Sequence, residues 1–310
     1  MDVVVVGAGI CGLATAFELR QRGLRVEVVE AEGVGAGQSA GEARIFRIAH
    51  REPWLCALAL EARARWREWE RALGLELLGT EGLVVVGGEA QAEAMREVGA
   101  PLELLGRSEI EARLPPLRAG HPWVAGIWDP LAGVTRVQRT LEALAARVTV
   151  RRERVESLEA IEADAIVVCA GLDTPRLVEP LGLDLQLTVE PHVRVIYEAS
   201  GDACVIAPEL YGLPIGSRYG IGMHAPGDEP TMFEPLTPIS EMECVSLFAP
   251  WLDGGDGFIA LQHGNVFVLG ASNAMKFGPL IGDRLARSVI EGAVHPDLAP
   301  GRVSAWTTSR

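Results

Sequence analysis

The sequence predicts an α/β fold, α+β overall. A largely parallel sheet flanked by helices is interleaved with a region of mixed and antiparallel strands. Three observations predict it. Short β-branched runs leading into glycine recur at 2–6, 165–171 and 265–270, the pattern of strands buried on both faces. Helical spacing alternates with these runs near both ends of the chain. Between them, 186–198 alternates with period two and 211–224 is glycine-broken and alternating, as half-buried antiparallel strands are.

The first thirty residues set the pattern. The run at 2–6 passes directly into Gly7-Ala8-Gly9-Ile10-Cys11-Gly12. Residues 13–23 then place Leu13, Ala16, Phe17 and Leu19 on one helical face. A second β-branched run, 25–29, ends on Glu30. Gly7 permits the tight turn, Gly9 lets a pyrophosphate approach the backbone, and Gly12 lets the helix lie close to the strand. The helix N-terminus offers N–H groups to phosphates, so Gly7, Ala8, Gly9, Ile10 and Gly12 are candidate dinucleotide contacts. Glu30 lies eighteen residues after Gly12, where a carboxylate accepts hydrogen bonds from ribose hydroxyls. The acid disfavours a nucleotide with a 2′-phosphate and leaves FAD and NAD both open.

Length and charge bound the rest. A chain of 310 residues with 48% apolar content holds two domains or one large one. A net charge of -14 disfavours nucleic acid and anionic membrane surfaces as partners. No apolar run reaches the ~18 residues of a membrane span. Five scattered cysteines with no CxxC pair fit a reducing cytoplasm and no zinc site. The first strand begins at residue 2, so no signal peptide is expected.

Further along, 33–41 is a glycine-rich loop, and 42–47 brings Arg44 and Arg47 three residues apart. Residues 53–73 form a long helix with a stripe of Leu55, Leu58, Ala59, Ala62 and Trp66. A turn and strand at 80–87, a polar helix at 90–98 and a helix start at Ser108 stopped by Pro115 follow. Residues 126–133 read as one strand, 135–146 as a helix, 148–156 as a strand, and 278–290 as a closing helix. These elements sort into a discontinuous Rossmann-like dinucleotide domain (1–79, 129–180, 250–310) and a mixed-sheet substrate domain (81–128, 181–249).

The motifs taken together resemble the D-amino-acid oxidase superfamily, and within it the monomeric sarcosine oxidase and N-methyltryptophan oxidase branch. GAGICG with Glu30, GEARIFR at 41–47, CAG at 169–171, YGLPIGSRYGIGMH at 211–224 and VFVLGASNAMKFGPLIG at 266–282 come in that family's order. The resemblance implies FAD and oxidation of an amino-acid or N-methyl amino-acid C–N bond by hydride transfer to flavin N5. It implies that Arg47 and Lys276 clamp the substrate carboxylate, and that Tyr211 and His224 line the substrate cavity. Arg44 matches an arginine near the flavin ring, and Val155 a residue whose backbone meets the adenine. The same segments supply Ala31, Ser39, Ala170, Gly171, Gly270, Met275 and Lys276 as cofactor contacts. A guanidinium suits a carboxylate because its fork pairs both oxygens and keeps its charge.

The sequence departs from that family at two places. Gly220 stands where the family has a lysine that speeds flavin reoxidation by oxygen. This predicts a slow reaction with oxygen and leaves an oxidase and a dehydrogenase that uses another acceptor both open, with Arg218 the nearest cation by sequence to restore the oxygen rate. Cys244, six residues before Pro250, matches the cysteine that bonds covalently to the flavin, but Ser246 replaces the tyrosine that accompanies it. The reading therefore favours a buried core thiol and a non-covalent FAD. A non-catalytic flavin-binding subunit of a larger complex is the competing function. An NAD-linked dehydrogenase is disfavoured by the 266–282 segment.

Overall fold

The computed structural model describes residues 1–225, 227–248 and 257–300. Its first eight strands are β1 (Asp2–Val6), β2 (Arg25–Glu30), β3 (Ala43–Phe46), β4 (Leu83–Val86), β5 (Glu103–Gly106), β6 (Ala125–Asp129), β7 (Gly133–Arg136) and β8 (Thr149–Arg152). They are followed by β9 (Ala165–Val168), β10 (Thr188–Glu198), β11 (Cys204–Ile206), β12 (Leu210–Ile215), β13 (Arg218–Met223), β14 (Thr237–Phe248), β15 (Gly257–His263) and β16 (Val266–Ser272). The α-helices are α1 (Ile10–Gln21), α2 (Pro53–Leu73), α3 (Glu89–Glu97), α4 (Arg107–Glu111), α5 (Val137–Ala145), α6 (Thr174–Val178) and α7 (Gly278–Glu291). No helix among the described residues is long and apolar enough to cross a membrane. Two units emerge: Met1–Ala40, Val137–Glu190 and Ser246–Arg310 form the first, Gly41–Arg136 and Pro191–Val245 the second.

The first unit is built on a six-stranded sheet in the order β15-β16-β9-β1-β2-β8. All neighbours are parallel except β15 with β16. The central strands are runs of valine and isoleucine because both faces are covered. Leu13, Ala14, Ala16, Phe17 and Leu19 of α1 are all buried. Helices α1 and α7 meet at Gly282, where a β-carbon would lie 2.7 Å from the Ala14 carbonyl carbon. Val6, Ile166, Val168, Leu177, Ile259 and Val268 form the core on the sheet's other side.

The second unit holds an eight-stranded sheet, β14-β10-β13-β12-β11-β4-β6-β5, and the β3-β7 pair. Strands β10, β12 and β13 run antiparallel, and β11 is parallel to β4. Its core is aromatic: Trp123 meets Phe233 edge-on at 5.8 Å, and the buried Tyr219 hydroxyl donates to the Ala203 carbonyl at 2.8 Å. Helix α2 spans the expected 53–73, with Leu55, Ala59, Ala62 and Trp66 buried and Leu58 half-buried.

Three expectations are corrected. Residues 126–133 are not one strand. Asp129 turns the chain by accepting the Leu131 N–H at 3.0 Å, and β7 starts afresh at Gly133. Thr135 and Arg136 are not helical, because they pair with Arg44 and Ala43 of β3, and α5 begins at Val137. Residues 41–79 and 129–136, expected with the dinucleotide domain, cluster with the second unit. The β3-β7 pairing and the Leu78–Thr135 bridge draw them there.

Candidate active site

In the first unit the loops leave the carboxyl ends of β1, β9 and β16, the edge where open α/β sheets bind ligands. Gly7 has φ 105°, and its β-carbon would fall 2.3 Å from the Cys169 carbonyl oxygen. A β-carbon on Gly12 would fall 1.9 Å from the Gly7 carbonyl oxygen, so helix and turn are in direct backbone contact. Gly9 has no side chain to cap α1. Ser39 does so instead, its Oγ accepting the Ile10 N–H at 3.0 Å. That hydroxyl keeps its own hydrogen for an anion.

Glu30 does more than the sequence predicts. Its carboxylate accepts the N–H groups of Ala8 at 2.7 Å, Glu32 at 2.8 Å and Gly33 at 3.3 Å. A carboxylate has about four acceptor positions, so one is left for a ribose hydroxyl. Ala31 is half-buried between Glu30 and the exposed Glu32. Ala170 and Gly171 follow β9, and a β-carbon on Gly171 would approach Gln38 Oε1 to 3.2 Å. The Val155 carbonyl accepts from Arg176 Nη2 at 3.0 Å. Gly270 lies within β16 opposite Ile259. After β16, Asn273 takes a left-handed turn (φ 52°) into a 3-10 helix, Ala274–Phe277, that buries Met275 and Lys276. Lys276 is only 6% exposed, with Nζ 5.6 Å from the centre of the Phe277 ring. A turn that a β-carbon would close, a capped helix N-terminus and a residual acceptor on Glu30 together fit a dinucleotide.

In the second unit the structure gathers Tyr211 with residues that sequence reasoning missed. Gly222 of β13 pairs with Arg194 of β10 on one side and Tyr211 of β12 on the other. Having no side chain, it lets theirs meet above it, since a β-carbon there would lie 2.3 Å from the Tyr211 ring. The Arg194 guanidinium lies 5.2 Å from the centre of that ring. His192 stands edge-on to it at 6.2 Å, and the exposed His224 is tilted at 6.1 Å. Arg194 Nη1 and Arg44 Nη1 both donate to the Ala43 carbonyl, at 3.0 and 2.9 Å. Burial, with the Arg194 charge beside it, pushes the Arg44 pKa down to about 10, against smaller opposing effects of Cys244 and Tyr211.

Arg47 follows β3, and the next two residues, Ile48 and Ala49, donate their N–H groups to Asp129 Oδ2 at 2.6 and 3.0 Å. Its charge acts on the Cys56 thiol, which burial pushes up to about 11. Cys244 is buried in β14, with Sγ 3.7 Å from the Met242 carbonyl, in the electrostatic neighbourhood of Arg44. Pro250 and the Ser246 side chain lie outside the described residues. Arg218 is tied to Glu42 at 2.8 Å and is not the free cation the sequence offered. A cleft of about 470 Å³ in this unit, between Glu42, Glu81, Arg136 and Asp202, is lined by none of the four expected catalytic residues.

The sequence profile described as DAO, FAD dependent oxidoreductase, matches residues 2–233. The chain belongs to this family of FAD-dependent oxidoreductases. It is an FAD-dependent amino-acid oxidoreductase, similar to sarcosine and glycine oxidases. Human peroxisomal sarcosine oxidase is 25% identical over 98% of this chain and 96% of its own length. Glycine oxidase of Pseudomonas aeruginosa is 30% identical over 68% of this chain and 67% of its own length. Among solved structures, NikD, described as an unusual amino acid oxidase essential for nikkomycin biosynthesis, superposes with a TM-score of 0.80 at 24% identity, covering 96% of this chain and 97% of its own. Glycine oxidase of Geobacillus kaustophilus superposes at 0.78 and 21% identity, covering 94% and 95%.

Proposed function

We propose that the chain oxidises the C–N bond of an amino acid or N-methyl amino acid. The observation that carries this reading is the glycine turn at the carboxyl edge of the first unit's sheet, with Glu30 and Ser39 on its backbone N–H groups, in a chain of the FAD-dependent oxidoreductase family. When bound, FAD would accept a hydride from the substrate carbon at N5, as C–N becomes C=N and the nitrogen loses a proton. The chain's own part is to bind and orient. Glu30, Ser39 and the Gly7–Gly12 turn would hold the dinucleotide. Arg47 and Lys276 would clamp the α-carboxylate and so fix the reacting carbon. Tyr211 and His224 would border the amine. We also propose the cytoplasm as its compartment, on the scattered, unpaired cysteines.

An anaerobic screen of amino acids and N-methyl amino acids tests this. Loss of the flavin band near ~450 nm with one class is expected. Protein that carries flavin and is bleached by none of them would instead support the flavin-binding subunit. A second reading, a dehydrogenase in which oxygen is a slow acceptor, is favoured by Gly220, where the branch places a lysine.

A further inference from the structure

Arg194 is an unusual residue to find inside a sheet. It is 4% exposed, and its guanidinium meets the Ala43 carbonyl and the Tyr211 ring. One of its nitrogens has the Ala43 carbonyl, while Nε is buried with no hydrogen-bond partner. The Tyr211 hydroxyl beside it is also buried and unpartnered. The second guanidinium, Arg44, also donates to that carbonyl. Gly220 and Gly222 clear the space. A β-carbon at Gly220 would lie 3.1 Å from Arg194 Cδ, and one at Gly222 would strike Tyr211. A buried guanidinium with spare donors, an idle hydroxyl and a like charge next to it is costly unless an anion completes it. A carboxylate matches the planar fork and can also accept from the tyrosine.

We propose that Arg194 and Tyr211 form a carboxylate subsite separate from Arg47. Arg44 faces Arg194, Tyr211 and Cys244, whereas Arg47 acts on Cys56, so the second unit has two cationic neighbourhoods. The proposal rests on the reading of the chain as an amino-acid oxidoreductase only in what it says of the substrate. If Arg47 holds the α-carboxylate, the preferred substrate is an amino acid with a second carboxylate, and Arg194 takes it.

The test is calorimetric binding of glutarate and butyrate to FAD-loaded protein at fixed ionic strength. Glutarate binds more tightly than butyrate. Arg194→Met weakens glutarate about 10- to 100-fold and leaves butyrate within about two-fold. Arg194→Lys keeps most of the glutarate affinity. Arg194→Met also leaves the ligand-free Tm unchanged or higher, because it removes an uncompensated charge; a residue with a purely structural role would lower it. Equal loss of both ligands, no loss of either, or no preference for glutarate in the unaltered protein overturns the subsite. If Arg194→Met does not fold, the purely structural role is the answer and the subsite falls. The readout needs no turnover, so a chain that bleaches with no amino acid fails the functional reading without deciding this one.

Discussion

Glu30 Oε2 accepts the Ala8 N–H at 2.7 Å, across 22 residues of sequence. The acid read as a ribose ligand is therefore also the clasp that holds the glycine turn against β2. Glu30→Ala strands three N–H groups. Unfolding stability of the FAD-free protein should fall by ~1–3 kcal/mol, alongside weaker FAD retention. Denaturant midpoints of the FAD-free protein and FAD titration measure the two separately. A variant that loses FAD affinity at unchanged stability would show that the clasp contributes nothing.

The glycines of the turn should separate in their effects. Alanine at Gly12 places a carbon 1.9 Å from a backbone oxygen that cannot rotate away. Alanine at Gly9 meets only the Ser39 hydroxyl, at 3.2 Å. Gly12→Ala should lower Tm by roughly 2–10 °C in FAD-free protein. Gly9→Ala should change Tm little and weaken FAD binding. Similar melting curves for the two variants would contradict this.

The nucleotide unit was legible because its signals are local. Strand, turn, helix and acid all fall within thirty residues, and the valine runs admit one reading. What escaped was short or mixed in composition. Ala43-Arg44-Ile45-Phe46 is a four-residue strand carrying a cation, and Glu103-Leu104-Leu105-Gly106 is an edge strand whose Leu104 is exposed. Strand β14 is polar enough to pass for loop. Arg194 left one trace, a charge at an inward position of an alternating run, in register with Gly222. Its meaning required the pairing of β10, β13 and β12, which no local pattern reveals.

Removing either proposed α-carboxylate cation should be felt in catalysis. Arg47→Ala and Lys276→Met should each lower kcat/KM by about 10- to 100-fold, corresponding to ~1.5–3 kcal/mol for a charge-assisted contact. Steady-state kinetics on the substrate found by bleaching gives the answer. Unchanged kcat/KM in Arg47→Ala would remove Arg47 from the clamp.

Oxygen should be a poor electron acceptor. Without the lysine that the sarcosine-oxidase branch carries at the position of Gly220, and the ~3–4 kcal/mol such a charge contributes, reoxidation should slow by ~10²–10³. Stopped-flow reoxidation with oxygen should lag well behind an artificial acceptor, and equal rates would restore an oxidase. Grafting a lysine at Gly220 is no simple rescue. Its β-carbon would meet Arg194, Ile215 and Ile196 side chains at 3.1–3.2 Å, so Gly220→Lys should lose stability first.

Glu70 provides a pH-dependent contribution. Its burial alone would raise its pKa, but the Leu78 and Leu77 N–H groups and Arg67 outweigh that and hold it below the usual 4.5. Its carboxylate accepts both N–H groups at 2.9 Å, fastening the end of α2 to the chain beyond it. A lowered folded pKa stabilises above the unfolded value and is lost as pH falls through the folded one. Glu70→Ala should therefore destabilise by ~1–3 kcal/mol at pH 7, with the gap to the unaltered protein shrinking below about pH 4.5. A gap constant from pH 7 to pH 3 would contradict this.

The strand order β16-β9-β1-β2 has a consequence for how the polypeptide comes to be folded. Strand β1 is made first, but its partner β9 begins more than 160 residues later and β16 a further hundred after that. The second unit waits in the same way, because β4 needs β11. A ribosome extending this chain therefore releases no finished unit until it has passed β14. Until β8 and β9 emerge, the valine-rich edges of β1 and β2 stay uncovered, an exposure expected to engage chaperones and to slow refolding.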